Sequence, residues 1–434
     1  MNQVRALLAN RSFLTVWSAS VVSGLGDKIA VIALYLLVYR LAGRAVDLGL
    51  LAAVQILPAI LLGPLAGLIL DRYSRKAVMV WSEVGSALVV AALPFAGSLN
   101  QVYLLAALLA VGRQFTGPAR LALVPDVVPG EQLDKANALA MVTKNVVLLV
   151  GPAIGGAIVA VWGTGTAFWL DAATFLASAG ILLLRRFTYL ESGADARRRA
   201  AGPLTPGDTI ALRAWRGLRE GITILWGRPR LRFAFLFLSA TVFVTAMQTP
   251  LVVLFIKDVL GQGDAALGFV LSASGLGGIA GALVGGILLA GRRPLRTVTW
   301  LLAIDGLLLM LFAVNHNYWL ALGLFGCFGA VGTIAQISLA TFLQRETPEK
   351  QRGRIFGWLG AIIGPLSLLS VTIGPLIADA VGVVLVLAGS GFFELLVGFA
   401  GRFTLPATPA DKEPSANELE ENVAERPKQM SGEA

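Results

Sequence analysis

The chain has 434 residues, 56% of them hydrophobic and only 14% charged, where a soluble globular protein carries about 25% charge; such a chain lacks the polar surface a water-soluble fold needs, whereas lipid accepts apolar surface everywhere. One cysteine, Cys327, and one histidine, His316, exclude a disulfide framework and most metal or nucleophile constellations, so no metal site, cofactor or enzymatic activity is expected. The net charge of +9 could suggest nucleic acid, but it falls in alternate loops between apolar runs, which is membrane topology, so no nucleic-acid partner is expected.

After a basic start, the apolar run 13–41 is longer than the core of a signal peptide, about 7–15 residues, and reads as a retained first span. Further runs near the roughly 20 residues that cross a bilayer lie at 48–70, 77–96, 102–124, 136–162 and 166–184. A polar stretch intervenes. Six more runs follow at 233–256, 267–290, 298–314, 318–342, 355–381 and 383–403. The reading is all-α, with twelve transmembrane helices in two six-helix bundles, 1–186 and 230–404. A linker, 187–229, joins them, and an acidic tail, 405–434, is too polar to bury a core.

Loop charge sets the orientation. Arg5, Arg11, Arg72, Arg75, Lys76, Lys135, Arg296 and Arg354 gather on one side with the arginine-rich linker, while the other side holds Arg40, Arg44 and Lys257. Both termini are therefore expected in the cytoplasm, in a bacterial cytoplasmic membrane. Within the linker, 210–226 reads as an amphipathic helix lying on anionic membrane lipids, with Arg213, Arg216 and Arg219 on its polar face.

The halves repeat weakly. Val124 through Glu131 is echoed by Leu343 through Lys350, with Pro129 matching Pro348, and Gly151-Pro152 by Gly374-Pro375. The loop after the second span reads Gly67-Leu-Ile-Leu-Asp71-Arg72-Tyr-Ser-Arg75-Lys76. This string resembles the signature loop of the major facilitator superfamily, with Ser74 at a usual glycine. Gly151-Pro152-Ala153-Ile154-Gly155-Gly156 is similar to the element that marks antiporters of that superfamily, although Val147 stands where a further glycine is expected. The same spacing also fits generic close packing, for which Gly277, Gly281 and Gly285 of the eighth span offer a partner face. With Gly26-Asp27, Arg113 through Arg120 and Trp169-Leu-Asp171, the chain resembles the drug:proton antiporter group that includes macrolide-efflux and siderophore-export proteins.

The resemblance implies a monomeric secondary transporter, driven by the proton gradient and exporting small amphipathic molecules. A siderophore exporter, a lysophospholipid flippase and a non-transporting receptor remain alternatives. It also implies a latch. Asp71 would face the start of the eleventh helix near Arg354, and Arg75 would pair with Asp126, together holding an outward-open state.

Ionisable groups inside spans are costly and mark working parts. Asp27 falls near the midplane and is the candidate proton carrier, with a structural pair to Lys28 as the alternative. In the family the first, fourth, seventh and tenth helices line the cavity, which puts Arg113 near Asp27. Lys144, Asn145, Gln248 and Gln336 are further pathway candidates. Structural pairing is the favoured reading for Glu83, Asp171, Asp305 and Glu394.

Overall fold

The computed structural model describes residues 7, 9–184, 226–288, 294–347 and 349–404. The linker helix expected over 210–226 falls outside them but for its last residue, as do the tail 405–434 and the side chains of Gly67, Asp71 and Arg354.

The apolar runs are helices: α1 Arg11–Ala42, α2 Ala45–Arg72, α3 Arg75–Ala92 and α4 Leu99–Val127. One helical run, Leu133–Leu184, breaks at Gly163, whose φ of 82° and ψ of 171° give α5 (133–162) and α6 (164–184). Then come α7 Pro229–Leu254, which runs on into a π turn, and α8 Asp264–Leu288, α9 Pro294–Ala313, α10 Tyr318–Glu346, α11 Glu349–Val381 and α12 Val383–Thr404. Polar residues mark the starts. Asn10, Ser74, Ser98 and Asn317 each accept a backbone N–H in the first turn that follows, which satisfies donors the helix leaves orphaned.

Among the described residues, ten segments are long and apolar enough to cross a membrane, one of them the 55-residue Gly130–Leu184 that holds both α5 and α6. α4 is not among the ten, because Arg113, Gln114 and Arg120 interrupt its apolar run. Packing places it with the others, against α2 and α3. Large apolar side chains such as Trp81, Leu104, Leu183, Leu283 and Phe403 are more than 60% exposed. That surface suits lipid and not water.

Within the first bundle α1 lies between α5 and α6, α2 packs on α4, and α3 on α4 and α6. In the second, α8 packs on α10, α9 on α12, and α7 on α11. Two broad contacts join the bundles, α5 with α8 and α2 with α11, and smaller ones bring α7 against α1 and α2 and α8 against α1. At Gly156 an added Cβ would stand 3.0 Å from Gly268 Cα, and at Gly49 2.4 Å from the Val371 carbonyl. Backbones meet there directly, as small residues allow.

The partner face expected on α8 needs correction. Gly277 and Gly281 face Gly326 and Ala330 of α10, and Gly285 faces Ile334, so this stripe lies inside the second bundle. α5 meets α8 instead through Gly268, Ser272 and Gly275, and the Ala153 N–H donates to Ser272 Oγ at 2.9 Å. Gly268 precedes Gly277 by nine residues, two and a half turns at about 3.6 residues per turn, so the two stripes lie on opposite sides of α8. On α5, Gly151 and Gly155 seat Lys28 and Ile29 of α1.

Candidate functional site

Asp27 is the seventeenth residue of the 32-residue α1, which sets it near mid-helix. From α4, Arg113 reaches it with Nη2 at 2.8 Å and Nε at 2.9 Å from the same oxygen, Oδ1. Each side chain keeps a little over a quarter of its surface exposed, so the pair borders open space. The Lys28 side chain turns away, its stem against Gly151 of α5. Lys144 is exposed and within electrostatic range of Lys28.

Two further acids converge here. Gly26 lets the Asp171 carboxyl of α6 approach α1: an added Cβ would lie 2.3 Å from Asp171 Oδ1 and 2.0 Å from Thr174 Oγ1. The Thr174 hydroxyl donates to Asp171 Oδ1 at 3.1 Å. Glu83 of α3 is wholly buried, flanked by the hydroxyls of Ser23 and Ser178, and neither carboxyl oxygen has a hydrogen bond of normal geometry. Among the described residues, neither Glu83 nor Asp171 forms a salt bridge with a base. Asp305 and Glu394 face each other between α9 and α12, away from this group.

A cavity of about 260 Å³ opens between α5, α8 and α10, lined by Asn145, Ser274, Phe328, Thr333 and Gln336 beside a row of glycines. It joins two of the pathway candidates, Asn145 and Gln336. Gln248 lies elsewhere, half-buried on α7, with its amide nitrogen unpaired.

At one end of the molecule Arg75 Nη1 stands 2.5 Å from Asp126 Oδ2 and donates to the Ala122 carbonyl at 2.7 Å. Arg72 is exposed there and Lys76 half-buried. At the other end, charges tie the bundles together. Tyr39 donates to Asp258 Oδ1 at 2.5 Å, and Arg40 pairs with Asp264, which also holds Lys257 at 2.7 Å. Asp379 of α11 accepts the N–H groups of Ala45 at 2.7 Å and Val46 at 3.1 Å, with Arg44 at 3.8 Å. The N-cap of α2, Arg44, makes no capping bond of its own, so a carboxylate from the opposite bundle caps this helix.

Sequence reasoning missed this cluster. The one available signal was that Arg40, Arg44 and Lys257 are charges on the side that the positive-inside pattern leaves almost bare.

The family model described as Major Facilitator Superfamily matches residues 16–366 and 242–431. The chain is 32% identical over 403 residues to the multidrug efflux pump Tap of Mycolicibacterium fortuitum, covering 89% of this chain and 93% of that one. It is 26% identical to macrolide efflux protein A of Streptococcus pyogenes over 179 residues, 40% of this chain and 44% of that one. Among solved structures, a bacterial homolog of the human lysosomal transporter Spinster, in an inward-facing and occupied conformation, superposes with a TM-score of 0.71 at 12% identity, covering 92% of this chain and 98% of that one.

Proposed function

The chain belongs to the major facilitator superfamily, and we propose that it exports small amphipathic molecules in exchange for protons by alternating access. Its similarity along nearly its whole length to a multidrug efflux pump supports the export reading. The observation that carries proton coupling is the Asp27–Arg113 pair, an acid and a base at mid-membrane that border open space. A proton arriving at Asp27 cancels its charge and releases Arg113, so protonation and the local charge pattern change together. Cargo enters the cavity of Asn145, Thr333 and Gln336, whose neutral hydrogen bonds orient it between apolar walls.

With both termini in the cytoplasm, as the loop charges indicate, the Arg40–Asp264 and Asp379 contacts seal the outer side. The state described is then inward-facing. Arg75 and Asp126, both in the first bundle and already paired in this state, form the part of the cytoplasmic latch that contact between Asp71 and the start of α11 near Arg354 completes in the opposite state. Energy comes from the proton gradient of a bacterial cytoplasmic membrane, and the working unit is a monomer.

Proteoliposomes with an imposed pH gradient test this. A fluorescent amphipathic dye should be moved uphill with accompanying proton flux, and Asp27→Asn should abolish the flux. Uphill dye transport that ignores the gradient, or unchanged proton flux in Asp27→Asn, would refute coupling at this site.

A further inference from the structure

Three carboxyls, Asp27, Glu83 and Asp171, lie within electrostatic reach of one another, and one guanidinium faces two of them. Arg113 is bonded to Asp27 and lies within electrostatic reach of Asp171. Glu83 and Asp171 are 0% exposed, and both Glu83 oxygens and Asp171 Oδ2 lack a partner. The other bases that face the group leave these acids unpaired. Lys28 on α1 packs its stem on Gly151, and Arg120 on α4 and Lys144 on α5 are exposed. Among the described residues, none of the three forms an ion pair with Glu83 or Asp171. An unpaired carboxylate in an apolar interior costs several kcal/mol, and a bound proton removes that charge.

We propose that Glu83 and Asp171 form a proton-binding site behind the Asp27–Arg113 pair, and that Asp171 passes its proton to Asp27. This rests on the reading of Asp27 as the coupling carboxylate and adds the groups that load it. In the step, the O–H bond at Asp171 breaks and one forms at Asp27. Asp27 becomes neutral and lets go of Arg113, and the new Asp171 carboxylate takes the guanidinium in its place. The net charge of the four side chains is unchanged. Gly26 admits the Asp171 carboxyl to the α1 backbone one residue from Asp27, which brings the two carboxyls within electrostatic reach. Glu83 keeps a second proton, with the hydroxyls of Ser23 and Ser178 beside it, and stays neutral while the Asp171 proton moves.

The test is infrared difference spectroscopy between acidic and alkaline buffer on the full chain in lipid nanodiscs, with neither cargo nor gradient. The wild type should show the carbonyl stretch of protonated carboxyls. Glu83→Gln and Asp171→Asn should each remove part of it. Asp27→Asn frees Arg113 for Asp171 and should remove the Asp171 share at neutral pH. A band identical in wild type, Glu83→Gln and Asp171→Asn overturns the site; an Asp171 share untouched by Asp27→Asn overturns the transfer. If either amide variant fails to fold, Glu83→Asp and Asp171→Glu keep the acid and should shift the band; an unshifted band counts against the site. Because the measurement uses no gradient, these bands persist even if coupled dye transport fails, and their absence beside intact coupled transport sinks this inference alone.

Discussion

Replacing Asp379 with alanine should move the protein toward the state open on the α1–α2 side. Asp379 reaches from α11 to the first two N–H groups of α2, at 2.7 and 3.1 Å. Such a cap is worth typically about 1 kcal/mol, and a carboxylate at a helix N-terminus adds about 0.3–1 kcal/mol through the dipole. The Arg44 pair adds little, because it is 3.8 Å long and Arg44 is 67% exposed. The sum, roughly 1–2 kcal/mol, exists only while the bundles touch at this end. Its loss should shift the population of the two states by a factor of about 5–30. Asp379→Asn keeps an oxygen acceptor and should shift it less.

The assay is a pair of spin labels at Gly97→Cys and His316→Cys, both exposed turn positions in opposite bundles, on a Cys327→Ser background. Distances are compared at a pH where the wild type populates both states. An Asp379→Ala distribution that matches wild type, or an asparagine effect as large as the alanine effect, would refute the capping argument.

Three further outcomes are expected. Arg75→Ala strands Asp126, whose side chain is 7% exposed, and should cost about 3–5 kcal/mol in thermal stability; Arg75→Ala with Asp126→Ala should recover part of it, and a double variant no more stable than the single would count against the pair. Gly277→Val places a Cβ 1.7 Å from the Gly326 carbonyl and should abolish the monodisperse peak in gel filtration, whereas Gly85→Val, with nothing within 4 Å, should retain it. Asn145→Ala and Gln336→Ala each remove one hydrogen-bonding side chain from the cavity, worth about 0.5–1.5 kcal/mol. Each should raise the KM for an amphipathic dye several-fold while leaving thermal stability near wild type.

Much of the architecture was legible along the chain. Apolar run lengths located the twelve spans α1 to α12 among the described residues, although the caps Asn10 and Ser98 set the starts of α1 and α4 two or three residues earlier than the runs did. The reason is that lipid offers no hydrogen bonds, so each crossing segment must satisfy its own backbone as a helix. The Asp27–Arg113 and Arg75–Asp126 contacts join residues already singled out by charge within or beside spans. The family followed from the strings around Asp71 and Gly151, which need no knowledge of packing.

What the chain did not disclose is how each helix is turned. Lipid rewards every apolar face alike, so rotation is decided by where small residues admit a neighbour and where polar groups find partners. That is why Gly277, Gly281 and Gly285 belong to α10, while Gly268 and Ser272 of the same helix meet α5. It is also why Glu83 and Asp171, 88 positions apart, converge on Asp27, and why Asp379 caps a helix more than 300 residues away. Which segments enter the membrane, and which charges enter with them, follows from residue order alone. The tertiary structure alone decided which of those charges meet.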